Sequence, residues 1–148
     1  MKAVVQIVKN ASVSVGGTVV GRCEKGLLVY LGVAKGDSCE AASFLAEKIS
    51  GLRIFGDAEG KMNLSVKDVG GGVLVVSQFT LLADARKGKR PSYSGAADPH
   101  VAAELYERFM EEIRRRGIAC ESGVFQAHME VAYINDGPVT IILEKALP

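Results

Sequence analysis

Residues 73–83 read VLVVSQFTLLA, the most apolar stretch of the chain. Residues 73–76 form a continuous apolar run, which is typical of a strand covered on both faces. The run turns abruptly polar in the SQFTL segment, residues 77–81, so hydroxyls, an amide and an aromatic surface gather at one strand end. Strand ends are common places for functional sites. The stretch therefore predicts a buried strand that leads directly into a candidate site.

The segments that precede and follow this strand are also predicted to be mostly strands. The apolar pattern predicts strands at residues 3–8, 12–15, 18–23 and 27–33, and again at 118–124, 128–134 and 139–144. Gly16 and Gly17 predict a two-residue hairpin turn, because both turn positions favour positive φ. The segment NDGP is expected to break the chain between the last two strands.

A first helix is predicted after the early strands. Asp37 and Glu40 resemble a capping box, and the apolar residues that follow recur at helical spacing. This helix is expected to end near Ser50 or Gly51.

A second helix is predicted after the SQFTL segment. Asp98 is its expected cap and Pro99 occupies its first turn. Its apolar stripe comprises Val101, Leu105, Phe109 and Ile113. Arginines 114–116 face the negative end of the helix dipole, and Gly117 ends the helix. Strands with two inserted helices, and no repeat or linker, predict one α/β domain over residues 1–148 with a mixed sheet.

Composition excludes several classes of protein. The chain has 148 residues, with 18 Lys and Arg against 17 Asp and Glu, so its net charge of +1 does not indicate a nucleic-acid binder. Any RNA site must be a local patch. Cys23, Cys39 and Cys120 lack the close pairing of zinc or redox motifs and are expected to be reduced thiols. With no signal-peptide pattern and no apolar run of membrane-spanning length, a soluble cytoplasmic protein is expected.

The usual catalytic motifs are missing from the sequence. His100 and His128 are the only histidines, and neither sits in a nucleophile signature, so a structural or solvent role is expected for each. The GDAEGK segment has the wrong glycine spacing for a phosphate loop. The sequence therefore predicts no metal and no cofactor. The segment NDGPVT is unusual, because Gly137 removes a side chain and Pro138 fixes φ and makes a cis bond possible.

Taken together, these segments resemble the D-aminoacyl-tRNA deacylase family, also called the D-Tyr-tRNA deacylases. The resemblance covers almost the whole chain and is carried by AVVQIV, GLLVYLGVAKGD, LAEKISGLRIF, GKMNLSV, VLVVSQFTLLAD, RKGKRPSYS and INDGPVT. The intact SQFTL segment differs from the sister group that acts on L-alanyl-tRNA. The resemblance implies an α/β fold in α/β/β layers with a barrel-like mixed sheet.

The resemblance also implies a function. A homodimer of this family hydrolyses the ester that joins a D-amino acid, or glycine, to the 3′ end of tRNA, as a chiral proofreading step in translation. It implies no membrane and no DNA partner. The catalytic segment would be Ser77, Gln78, Phe79 and Thr80, acting mainly through backbone groups. The 2′-hydroxyl of the terminal adenosine would help to activate water, and Thr80 as a nucleophile is the rival interpretation.

Chiral selection is implied to come from a Gly-cisPro element. Gly137 and Pro138 of one subunit would enter the pocket of the other and present carbonyls to the substrate amino group, with Gln6 and Asn135 in support. Most family members have Arg directly after that Gln, whereas this chain has Ile7.

Two further segments bear on substrate binding. Residues 126–128 read QAH after Phe125, where small and acidic residues are more usual in the family. For the tRNA body the best local patch comprises Arg86, Lys87, Lys89 and Arg90.

Two other functions remain open at this point. One is a catalytically silent nucleic-acid-binding protein of the same fold, which Ile7 favours. The other is a general esterase with a Ser77 or Thr80 nucleophile, for which no neighbouring base is evident.

Overall fold

The structure, a computed structural model, describes residues 1–146. It contains eight strands, two α-helices and one 3₁₀ helix. In chain order they are β1 Lys2–Val15, β2 Thr18–Cys23, β3 Gly26–Gly32, α1 Cys39–Gly51, β4 Phe55–Gly56, β5 Met62–Leu64, β6 Gly72–Ser77, the 3₁₀ helix Phe79–Leu82, α2 Pro99–Arg115, β7 Cys120–Ser122 and β8 Glu130–Glu144. Neither of the α-helices in residues 1–146 is long and apolar enough to span a membrane.

Six of the strands form one mixed sheet. Its order is β2-β1-β3-β6-β7, and β8 pairs with the other edge of β1. The β3–β6 and β6–β7 pairs are parallel, while β1 pairs antiparallel with β2, β3 and β8. The predicted α/β class and mixed sheet are confirmed.

The two ends of the sheet approach each other, so that it nearly closes into a barrel. The backbone N–H of Arg22 on β2 donates to Oε1 of Glu121 on β7 at 3.1 Å. Next to it, a Cβ placed on Gly21 would fall on the carbonyl oxygen of Ser122. Only glycine therefore allows β2 to come so close to β7.

Strand β6 lies between two apolar clusters, as its continuous apolar run predicts. Val73 and Val75 face the larger cluster, which the two α-helices cover. Leu74 and Val76 face a smaller cluster on the opposite side of the sheet. All four side chains are at most 2% exposed. Because the whole run is buried, the polar SQFTL segment that follows it is where the chain first reaches the surface.

The N-terminal strands differ from the prediction in one respect. Gly16 and Gly17 have φ of +56° and +82°, which confirms the two-residue hairpin. However, residues 3–8 and 12–15 are not separate strands but belong to the single strand β1. The polar pair Lys9 and Asn10 is exposed without ending the strand, because β8 pairs with β1 on both sides of it through a register shift.

The predicted capping box of α1 is wrong. Ser38 is the N-cap residue, and its side chain makes no capping hydrogen bond. The Asp37 carboxylate instead forms an ion pair of 2.6 Å with the amino group of Met1 and accepts from the backbone N–H of Ala34 at 2.7 Å. A nearby buried ammonium group competes more strongly for this carboxylate than the helix amides do.

Helix α2 largely follows its prediction. Asp98 caps it by accepting from the backbone N–H of His100 at 3.0 Å. Leu105, Phe109 and Ile113 are buried, whereas Val101 in the first turn is 43% exposed and does not belong to the buried stripe.

The arginines at the end of α2 have specific partners. Arg114 donates to the carbonyl of Cys120 at 3.0 and 3.2 Å. Arg115 and Arg116 pair with Glu112 at 3.1 and 3.0 Å. The three arginines therefore form specific contacts within the structure and are not only solvated charges.

The C-terminal strands also differ from the prediction. Residues 130–144 form one strand, and NDGP does not end it. Asn135 lies opposite Val8 and Thr140 opposite Gln6, so residues 136–139 bulge from the sheet while β1 contributes only Ile7. His128 precedes β8 in an irregular segment rather than lying in a strand.

Candidate active site

A cleft of about 540 Å³ opens beside the end of β6. Its walls come from β3, the SQF residues, the start of α2 and the segment before β8. Its lining residues include Leu31, Val76, Ser77, Gln78, Phe79, Pro99, Ala102, Tyr106, Phe125, Gln126, His128 and Met129. A concave, mostly apolar pocket with a few polar groups at one place is the usual form of a small-molecule site.

The polar groups at the strand end are held by backbone hydrogen bonds. The N–H of Gln78 donates to the carbonyl of Leu31 on β3 at 2.8 Å, so the chain leaves the sheet at this residue. Gln78 is the N-cap residue of the 3₁₀ helix without a side-chain capping bond to the backbone, and its Nε2 donates to the hydroxyl oxygen of Thr80. The structure thus brings Ser77, Gln78 and Phe79 to the cleft, with Thr80 exposed directly after them.

The start of the 3₁₀ helix leaves two backbone donors free. In this helix the first internal bond runs from the N–H of Leu81 to the carbonyl of Gln78 at 3.2 Å. The N–H groups of Phe79 and Thr80 precede it and have no hydrogen-bond acceptor among residues 1–146. Two adjacent free amides beside a cleft suit the binding of an oxygen that carries negative charge.

The hydroxyl of Thr80 has no base beside it. Its hydrogen bond within the described chain is the one it accepts from Gln78, and no histidine or carboxylate there bonds to it. A threonine hydroxyl without a base is a poor nucleophile at neutral pH. The geometry therefore favours chemistry through the backbone rather than through this side chain.

Two aromatic contacts shape the site. The ring of Phe79, 58% exposed, packs edge-on against Tyr93 with centroids 5.1 Å apart. On the other wall, Phe125 packs against Tyr106 at 6.1 Å. The hydroxyl of Tyr106 donates to the carbonyl of Val75 at 2.7 Å, and burial raises the pKa of Tyr106. Tyr106 is thus a neutral donor that anchors this wall to β6.

Sequence reasoning did not identify the part of this wall that α2 contributes. Tyr106 lies beside the apolar stripe, four residues after Ala102, and both residues line the cleft. A tyrosine at helical spacing from a small residue was the available signal. His128, for which the sequence indicates a structural or solvent role, is exposed and also lines the cleft.

The Gly137–Pro138 bond is cis, and φ of Gly137 is +124°. A Cβ at this glycine would lie 2.9 Å from Cγ2 of Val139, so a larger residue would be crowded as well as strained. Neither residue lines the cleft of its own chain.

The bulge that contains these residues is braced by Asn135. Its Nδ2 donates to the carbonyls of Ile7 and Val139 at 2.9 and 3.1 Å. Gln6 adds bonds from its Nε2 to Thr140 Oγ1 at 3.1 Å and to Asn135 Oδ1 at 3.4 Å. Ile7, which stands where most of the family has Arg, is 7% exposed and belongs to the larger apolar cluster. Main-chain and amide groups thus brace this bulge.

The basic loop after the 3₁₀ helix divides into two parts. Arg86 is held by Asp84 through two side-chain hydrogen bonds of 2.6 and 2.9 Å. Lys87, Lys89 and Arg90 are exposed, and no carboxylate of residues 1–146 lies within ion-pair distance of them. The unpaired cations of this patch in the described chain are therefore Lys87, Lys89 and Arg90, whereas Arg86 is paired.

Comparison with known proteins identifies the family. The family model described as D-Tyr-tRNA(Tyr) deacylase matches residues 4–144. The chain is 60% identical to the D-aminoacyl-tRNA deacylase of Koribacter versatilis, over 98% of this chain and 97% of that protein. It is 56% identical to the one of Thermotoga petrophila, over 99% and 98% of the two chains.

Solved structures share the fold. One described as a c-Myc DNA unwinding element binding protein superposes with a TM-score of 0.93 at 40% identity, over 99% of this chain and 100% of that one. Another, described as a probable eukaryotic D-amino acid tRNA deacylase, gives a TM-score of 0.80 at 19% identity, over 96% and 97% of the two chains, and shows the fold alone. On the family match and these identities, the chain belongs to the D-Tyr-tRNA(Tyr) deacylase family.

Proposed function

We propose that this chain hydrolyses the ester of D-aminoacyl-tRNA, and of mischarged glycyl-tRNA, to free tRNA and amino acid. The observation that carries the proposal is the pair of free backbone amides of Phe79 and Thr80 beside the cleft. They occur in the SQFTL segment of a chain 60% identical to a D-aminoacyl-tRNA deacylase.

In the proposed reaction a water oxygen attacks the ester carbonyl carbon, and the bond from that carbon to the 3′-oxygen breaks. The amides of Phe79 and Thr80 bind the oxyanion that forms. The 2′-hydroxyl of the terminal adenosine helps to activate water, because residues 1–146 offer no base beside Thr80. The 3′-oxygen leaves with a proton as the terminal hydroxyl of tRNA.

Chiral selection in this proposal needs a second copy of the chain. Gly137 and Pro138 do not line their own cleft, so they reach a cleft only if it belongs to a partner. Strand β8 fits this arrangement, since two of its large apolar side chains, Ile134 and Ile142, are 52% and 73% exposed. Backbone carbonyls of the element bind the substrate ammonium group, an interaction of about 1.5–3 kcal/mol, and an L side chain collides with the same backbone. Glycine has no side chain and passes.

The tRNA body is proposed to lie along Lys87, Lys89 and Arg90. Exposed cations on a loop can bind a phosphate backbone without contacting bases. Arg86, which Asp84 neutralises, contributes through the shape of the loop. This proposal implies that the protein acts in the cytoplasm, where its aminoacyl-tRNA substrate is found.

One experiment separates this proposal from its alternative. Purified protein is incubated with D-tyrosyl-tRNA in the presence of a chelator, and ester loss and tRNA binding are both followed. The proposal expects loss of the ester with recovery of intact tRNA. Binding without ester loss would overturn it in favour of the second candidate.

The second candidate is a catalytically silent nucleic-acid-binding protein. It is favoured by the description of the structure that superposes with a TM-score of 0.93 as a DNA unwinding element binding protein. The same free cations on the basic loop would serve it.

A further inference from the structure

Gln126 has a backbone conformation that its residue type disfavours. Its φ is +65°, the only positive φ of a non-glycine residue among residues 1–146. It occupies the third position of the turn that the bond from the N–H of Ala127 to the carbonyl of Val124 closes at 3.2 Å. When φ is positive there, glycine or asparagine is the usual residue.

The surrounding structure fixes this turn on both sides. The N–H of Gly123 donates to the carbonyl of Val75 at 3.1 Å, the same carbonyl that the hydroxyl of Tyr106 binds. Gly123 also packs so closely on Met129 that a Cβ would collide with the Met129 sulfur. The Phe125 ring packs on Tyr106 one residue before the strained position. Strain that the surroundings enforce in this way clusters at binding sites.

The fixed turn places the Gln126 side chain at the cleft. Gln126 is exposed and lines the cleft, and its amide forms no hydrogen bond with the rest of residues 1–146. The cleft that it lines is also bounded by Phe125, Tyr106 and Pro99, which are flat or apolar, and by His128. A free amide beside flat apolar surfaces suits a planar heterocycle with a polar edge.

We infer that Gln126 is a specificity-determining residue that recognises the terminal adenine of tRNA through hydrogen bonds. Adenine presents a donor at N6 beside an acceptor at N7, and a glutamine amide offers the matching acceptor and donor. The base lies in the apolar part of the cleft, while the ester reaches Ser77 and Gln78 in the same cleft. This inference rests on the proposed function, because it takes the substrate to be the 3′-terminal adenosine.

The test uses direct binding, so that it does not depend on turnover. Two stable amide analogues are compared by calorimetry, 3′-(D-tyrosylamino)-3′-deoxyadenosine and its purine counterpart that lacks the 6-amino group. The purine analogue keeps N7 and loses only the bond from N6, so the wild-type protein is expected to bind the adenine analogue about tenfold more tightly. Gln126→Gly is expected to bind both analogues equally, and more weakly than the wild-type protein binds the adenine analogue. Gln126→Asn, which tolerates the turn and keeps the amide, is expected to retain part of the preference.

Stability separates this role from a structural one. Gln126→Gly relieves the positive φ and is expected to unfold at the same or a higher denaturant concentration. A merely structural residue would give no change in the preference for adenine. The inference is overturned if Gln126→Gly keeps the tenfold preference, or if the wild-type protein shows none. Intact discrimination in a protein that does not hydrolyse D-tyrosyl-tRNA would contradict the proposed function and uphold the adenine contact.

Discussion

The side-chain nitrogen of Asn135 donates to the main-chain carbonyl of Ile7 at 2.9 Å, joining β8 to β1 where their register shifts. The same nitrogen donates to the carbonyl of Val139 at 3.1 Å. One side chain therefore closes the base of the bulge that holds Gly137 and Pro138.

Asn135→Ala removes both donors and leaves two carbonyls without them. Stability should fall by about 1–2 kcal/mol in urea unfolding, since removal of a hydrogen bond of this kind costs about that much. The loosened bulge should let the L ester into the site, so the D-to-L rate ratio should fall more than the D rate. Gln6→Ala, which removes a longer bond to Asn135 and an exposed bond to Thr140, is the matched control and should change the ratio less. An unchanged ratio in a folded Asn135→Ala protein would remove the brace from the mechanism.

Thr80→Val tests the choice between backbone and side-chain catalysis. The substitution keeps the shape of the side chain and removes its hydroxyl, while the amides of Phe79 and Thr80 stay in place. The rate on D-tyrosyl-tRNA should fall by less than about tenfold, because removal of a true nucleophile costs roughly a thousandfold or more. A loss of that larger size in single-turnover kinetics would make Thr80 the nucleophile.

Lys87→Ala combined with Arg90→Ala should weaken tRNA binding, because both cations are exposed and have no carboxylate partner in the described chain. For each phosphate interaction that the substitutions remove, the slope of log K against log salt should become shallower by about one. Arg86→Ala is the control, and its binding should change less, since Asp84 already holds that guanidinium. Equal salt slopes for the wild-type and double-variant proteins would exclude the patch.

The half-buried thiol of Cys23 and the buried thiol of Cys120 predict a loss of stability at alkaline pH. Burial raises the pKa of Cys23 and of Cys120 from 9.0 to about 11. Above pH 9 the unfolded chain releases protons that the folded chain retains, so the free energy of unfolding should fall between about pH 9 and pH 11. Cys23→Ala combined with Cys120→Ala should show a smaller fall, whereas Cys39→Ala, at an exposed position, should match the wild type. Superimposable curves for all three proteins would contradict the assignment.

The regular parts of the fold could be predicted from local patterns. The apolar run 73–76, the Gly16-Gly17 turn and the Asp98-Pro99 helix start each depend on residues near one another in sequence, and each is confirmed. The role of Asp37 could not be predicted, because its partner is the amino group of Met1, 36 positions away in sequence. The break expected at NDGP is wrong, because a bulge inside a paired strand has the same local signature as a turn.

The site was predictable only in part. The SQFTL segment is recognisable as a polar end to a buried strand, and the structure places its first three residues at the cleft. The part of the opposite wall that Tyr106 contributes could not be predicted, since Tyr106 and Phe125 meet through packing between distant segments. The positive φ of Gln126 could not be predicted either, because glutamine does not favour this conformation.

The ratio of initial rates on D- and L-tyrosyl-tRNA, measured with the same tRNA and no added metal, tests the central claim most directly. If Gly137 and Pro138 of a second copy exclude an L side chain from the site, the D ester should be lost rapidly. The L ester should persist as long as it does without protein. Equal loss of both esters, or loss of neither, would contradict it.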